Sequence, residues 1–258
     1  MIHKLKEIPT ALCAITSPVI ELFYQGDASL LNRKKVAIVG TRRPSLYTKN
    51  STFALANALK DAGVTVVSGA AMGVDAQAHK GAFPHTIAVM ANSLDIKAPA
   101  VNKGLIESMA TESLCLSEYP QTTHPTKYSF VQRNRIVVAL SDVVVLAEAD
   151  LNSGTMRSAE FALKMGKPIF VLPHQMGESL GTNKLLQEGK AEAIYSIESF
   201  LERLKISTPI VSQEDELLAF CTNQPTYDEV VAQFKEKLFE YELLGKVSVV
   251  NGRVVVTT

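Results

Sequence analysis

The 258 residues are 47% apolar, enough for one sizeable α/β core with a small appended module. Twenty-six Lys and Arg balance twenty-six Asp and Glu, which excludes the overall positive field of many nucleic-acid binders and makes any phosphate site a local one. Cys13, Cys115 and Cys221 are far apart and odd in number, against a disulfide framework and against a cysteine metal site, so a reducing cytoplasm is expected. No apolar run approaches the roughly 18 residues of a membrane span, and residues 1–9 lack the apolar centre of a secretion signal.

Residues 1–34 are mixed, with Pro9, Pro18 and Gly26 interrupting weak periodicity, and are read as a short lead-in on a sheet edge. From Lys35 a β-branched run, a small-residue loop and a helix alternate, the pattern of strand-helix-strand units around a parallel sheet. The runs are 36–39, 65–67, 86–90, 114–116, 143–147 and 168–172, and their near-continuous apolarity places the strands in a sheet buried on both faces. Leu55, Ala58, Leu59 and Ala62 fall on one helical stripe that Gly63 terminates. The sheet domain is expected over 35–206. Thr208-Pro209 reads as a linker into a module over 210–258, with helices over 214–221 and 227–244. A hairpin follows, because Asn251-Gly252 tolerates the positive φ of a type I′ turn between β-branched runs. Helices followed by a hairpin give a winged-helix-like module. Its acids, Glu214, Asp215, Glu216, Asp228, Glu229, Glu236, Glu240 and Glu242, leave a protein contact, a structural role and a DNA contact all open.

Ligands of parallel α/β sheets lie beyond the carboxyl ends of the strands, so the loops there are the candidate sites. Gly40-Thr41-Arg42-Arg43 opens a helix after a strand and suits an anion, or is a tight turn with two solvated arginines. It is not a dinucleotide fingerprint, since G-x-G-x-x-G is absent. Ser68-Gly69, with Gly73 beyond, lets a helix start lie close either to the sheet or to a phosphate. Ser153-Gly154-Thr155 offers hydroxyls and N–H groups to a ligand, or caps a helix. The most specific stretch runs from Lys127 through Phe130 to Arg133, Asn134 and Arg135. Cations interleaved with aromatics serve phosphates and unstacked bases, and Lys127, Phe130 and Asn134 share one helical face. One of Arg133 and Arg135 is expected to be a buried ion-pair partner, with Glu118, Glu148 or Asp150 as candidates for Arg135.

Together these segments resemble the DNA-processing protein A family (DprA, also called Smf). The matching stretches are 36–42, Ser68-Gly69 with Gly73-Val74-Asp75 and Ala78-His79, 116–120, Phe130 with 133–136, 140–142, 153–155, 171–173 and 181–183, in the family's order. The resemblance implies an extended Rossmann-like α/β domain, a parallel sheet flanked by helices, that binds single-stranded DNA without sequence preference. It also implies a homodimer and action with a RecA-type recombinase in natural transformation; separately, the residues offer no catalytic set and no metal-ligand spacing, so no enzymatic activity, cofactor or metal is expected. By position, Arg42, Lys127, Phe130 and the Ser153-Gly154 loop match the family's DNA pocket. Two departures stand out. Residues 90–99 lack the glycine-rich stretch and Tyr-Pro pair of many members, and 34 leading residues are too few for their helical N-terminal domain.

The rival is an enzyme. Phosphoribohydrolases of the LOG type, which act on nucleoside monophosphates, set a glutamate three residues after the Thr of their Gly-Thr loop; here Ser158 follows Thr155 and Glu160 is out of register. The histidines are scattered, and neither H-E-x-x-H nor G-x-S-x-G occurs. A protein that senses a nucleotide in the same pocket is a third possibility.

Overall fold

A computed structural model of the chain describes residues 1–13, 15–206, 216–221, 223–243 and 246–256. Thr208-Pro209, Glu214, Asp215 and Leu244-Gly245 lie outside the described residues. The chain divides into two compact units, 1–207 and 208–258.

The first unit runs β1 (His3–Lys4), α1 (Thr10–Cys13), β2 (Phe23–Gly26), β3 (Lys35–Val39), α2 (Leu46–Asp61), β4 (Thr65–Gly69), α3 (Val74–Ala82) and β5 (Thr86–Val89). It continues through α4 (Lys103–Glu112), β6 (Leu114–Ser117), α5 (Lys127–Leu140), β7 (Val143–Leu146), α6 (Gly154–Lys164), β8 (Ile169–Val171), α7 (Leu180–Gln187), β9 (Glu192–Ala193) and α8 (Ile197–Arg203). The sheet order is β1-β2-β6-β5-β4-β3-β7-β8-β9. The six strands expected from apolar runs fill its centre, β6 to β8, and pair in parallel. Residues 1–34 extend that sheet: β2 pairs antiparallel with β6, and β1 antiparallel with β2.

Alternation along β3 divides the core between the two faces. Ala37 and Val39 pack with Ile136 of α5 and Ala159 of α6, whereas Val36 and Ile38 pack with Leu55 and Leu59 of α2. Both faces are therefore dry, which is why the strands read as continuous apolar runs. Ser45 caps α2 by accepting from Thr48 N at 3.1 Å, and Gly63 ends it at φ +74°. A reciprocal capping box starts α5: Thr126 Oγ1 accepts from Ser129 N at 3.1 Å, and Ser129 Oγ accepts from Thr126 N at 2.8 Å.

The first central strand, β3, has β4 on one side and β7 on the other. Chain order reverses there, so the loops after β3 and β7 diverge and leave a crevice at the strands' carboxyl ends.

In the second unit α9 (Glu216–Cys221) and α10 (Tyr227–Leu243), the latter broken at Phe234, precede the hairpin of β10 (Val247–Val250) and β11 (Arg253–Val256). Its own core joins Leu217, Cys221, Val230, Leu238, Tyr241, Val247 and Val254. Asn251 and Gly252 take φ +52° and +76°, as a type I′ turn requires.

Candidate functional site

The crevice holds a pocket of about 540 Å³. Glycines build its first wall by letting segments meet. A Cβ on Gly40 would lie 2.5 Å from Val74 Cγ2, and one on Gly73, already at φ +80°, would lie 2.4 Å from Thr41 O. Val74 N donates to Thr41 O at 3.1 Å, which locks the start of α3 to the loop after β3. The loop after β7 is tied in as well: Thr41 N donates to Glu148 O at 2.9 Å, and Ser45 N and Oγ both donate to Glu148 Oε2, at 3.0 and 3.1 Å.

Ten of the thirteen candidate DNA-binding residues line this pocket: Gly40, Thr41, Arg42, Arg43, Phe130, Arg133, Asn134, Ser153, Gly154 and Thr155. Arg42 and Arg43 are exposed, and the Arg42 guanidinium lies over the Phe130 ring, 4.9 Å from its centroid. Phe130 is half-buried. Lys127 is exposed at the start of α5, one turn from Phe130 and outside the lining. Ser153 Oγ caps α6 by accepting from Met156 N at 3.4 Å, and Gly154 opens onto free space where a side chain would stand. With Met156 N taken by Ser153, the N–H groups of Gly154 and Thr155 are the ones at the start of α6 without an intrahelical acceptor.

Ser68 and Gly69 do not line the pocket. They lie buried at the end of β4, where Ser68 Oγ donates to Ile38 O at 2.6 Å and a Cβ on Gly69 would meet Arg133 Nη1 at 1.5 Å. The small residues here admit a buried arginine rather than a phosphate. Arg133 Nη1 donates to Val89 O at 2.8 Å, and its Nη2 stands 3.8 Å from Asp75 Oδ2. Burial drives the two charges toward neutrality: Asp75 is pushed above the ordinary carboxyl value, against the pull of Arg133, and Arg133 below that of a free guanidinium. Both arginines are thus buried in ion pairs where one was expected: Arg135, on the opposite face of α5, pairs at 2.5 Å with Glu118, one of the three acids considered.

Sequence reasoning named Asp75 only within the family match, and Glu148 and Asp150 only as partners for an arginine, and so missed the acidity of this wall. Asp75, Glu148 and Asp150 line it with Ser158, whose hydroxyl is buried without a partner. The signal available was their position, just beyond β7 for Glu148 and Asp150. Residues 90–99 contribute nothing to the lining, and Glu160 pairs with Arg157 at 2.9 Å on the exposed face of α6. Among the described residues no group of three His, Cys, Asp or Glu side chains is placed to hold a metal ion, and no helix is long and apolar enough to cross a membrane.

Residues 1–205 match the DNA recombination-mediator protein A family. The DNA processing protein DprA of Bacillus subtilis is 36% identical over 205 residues, which span 77% of this chain and 69% of that protein. Its Streptococcus pneumoniae counterpart is 37% identical over 186 residues, 70% of this chain and 66% of that one. The structure of DNA processing protein A from Helicobacter pylori, a protein with a unique single-stranded DNA binding mode, superposes with a TM-score of 0.78 at 45% identity, covering 79% of this chain and 95% of that one. The Streptococcus pneumoniae structure gives 0.71 at 35% identity, covering 76% and 70%.

Proposed function

Because the chain belongs to the DNA recombination-mediator protein A family, we propose that it binds single-stranded DNA without sequence preference through the pocket between the loops after β3 and β7. One observation carries this reading: an aromatic ring, a guanidinium and an open helix start converge on one crevice. A base stacks on the Phe130–Arg42 pair whatever its identity, and the phosphates meet Arg42, Arg43 and Lys127 at the rim. The protein is a binder rather than an enzyme; Ser158 stands where a LOG-type hydrolase carries its glutamate. Family membership over residues 1–205 supports a cytoplasmic homodimer that serves a RecA-type recombinase in natural transformation, and the helices and hairpin of the second unit suit a winged-helix-like module.

The test is a salt titration of oligothymidine affinity. Arg42→Ala and Lys127→Ala should each weaken binding and flatten the slope of log affinity against log salt by about 0.7 per lost phosphate contact. An unchanged slope in either variant removes that residue from the interface.

A further inference from the structure

The pocket wall poses a donor–acceptor problem that the backbone of a DNA strand does not solve. The sugar-phosphate backbone of DNA offers only acceptors, and three acidic residues line the same space. Two are engaged within the protein. Asp75 has Arg133 and the Ala71 N–H, and Glu148 Oε2 takes both donors of Ser45. Asp150 is exposed at the pocket's mouth, and its carboxylate has no hydrogen-bond or ion-pair partner among the described residues, so it is open to a ligand. Beside these acids stands Ser158, 1% exposed, with its hydroxyl unsatisfied. Formal charge in the lining cancels, Arg42, Arg43 and Arg133 against Asp75, Glu148 and Asp150, so the pocket suits one phosphate at its rim and a hydrogen-bond-donating group within.

A ribose has such a group. Its vicinal hydroxyls are two donors spaced for one carboxylate, whereas deoxyribose within a strand has none. We propose that the pocket also takes a free ribonucleoside monophosphate, with its ribose diol on the Asp150 carboxylate and the Ser158 hydroxyl, in competition with a DNA strand. The phosphate lies at the first turn of α6, under Arg42 and Arg43, and the base lies on Phe130. The volume of about 540 Å³ is within the range of roughly 300–1,000 Å³ usual for small-molecule sites. This goes beyond strand binding while sharing its pocket, so the nucleotide would regulate access of DNA.

The experiment measures AMP and 2′-deoxy-AMP binding to the full chain by calorimetry, alongside direct oligothymidine binding and its displacement by AMP. AMP should bind about tenfold or more tightly than 2′-deoxy-AMP, since a lost hydroxyl leaves the buried Ser158 hydroxyl unpaired, and should displace the oligomer. Asp150→Asn should bring the ratio of the two affinities close to one with an unchanged melting temperature, and Asp150→Ser serves if the first variant does not fold. Equal binding of the two nucleotides to the unmodified chain would mean that the carboxylates read a base edge and overturns the proposal, as does no binding of AMP, or AMP binding that leaves a bound oligomer in place. An oligomer that fails to bind while AMP still outcompetes 2′-deoxy-AMP refutes the strand-binding reading alone.

Discussion

Phe130 and Arg42 come from segments some ninety residues apart and meet as a ring beneath a guanidinium. A cation held over an aromatic face is oriented by the ring quadrupole, so Phe130 both stacks on a base and positions the charge that meets its phosphate. Truncation to Phe130→Ala should therefore weaken oligothymidine binding by about 1–3 kcal/mol with little change in melting temperature, because the ring is only half-buried. The two roles are separable by a double-mutant cycle. Arg42→Ala combined with Phe130→Ala should cost less than the sum of the single changes, and strict additivity in binding would show that the ring does not position the guanidinium. Spacing along α5 was enough to put Phe130 and Asn134 on one face, but it carried no depth. Arg133 and Arg135 sit two residues apart and read alike, yet one runs under the pocket to Asp75 and the other crosses to Glu118. Their partners lie on other segments, and nothing local in the chain specifies them.

Among the ties of helix α3 to the sheet is one buried polar side chain, His79. His79 is fully buried; its Nε2–H donates to Gly69 O of β4, and its Nδ1 faces the Thr86 hydroxyl of β5 at 2.7 Å. Burial holds the imidazole neutral, with its pKa down to about 4 from an ordinary 6.5. As pH falls below 6.5 the unfolded chain takes up this proton and the folded one does not. Stability should then decline down to about pH 4, by about 3 kcal/mol over the window. Asp75, raised by burial, acts in the opposite sense, since the folded state keeps its proton to higher pH. The difference in melting temperature between wild type and His79→Gln, followed from pH 7 to pH 4, isolates the histidine and should shrink as the pH falls. A constant difference would rule out proton linkage at this position. At the same scale, legibility tracked burial. The six central strands are dry on both faces and announced themselves as apolar runs. β1 and β9 have two residues each and β2 is half-exposed, so pairing at the sheet edges creates these strands where local composition does not.

The two units close their cores separately: Leu217, Cys221, Val230 and Val254 complete a cluster of their own, while the sheet's clusters draw on residues before 207. Every residue lining the pocket also precedes 207. A chain ending at 207 should therefore fold and bind oligothymidine within about twofold of the full chain, the more so because the second unit presents Asp228, Glu229, Glu240 and Glu242 to a polyanion. Loss of affinity in a truncated chain that retains its melting transition would give the second unit a direct part in binding.

The reversal of strand order at β3 also sets a schedule. Lys35 N donates to the Asp142 carboxylate at 2.9 Å across 107 residues, and β3 waits for β7 over the same span. Local strand-helix units on the β4 side can condense early, but closing so long a loop is entropically costly and slow. Glu148, Asp150 and the start of α6 reach the crevice only with β7. During synthesis from the amino terminus the chain thus carries α1 to α5 before it has a pocket, and affinity for a ligand appears only once β7 and the start of α6 have joined the sheet.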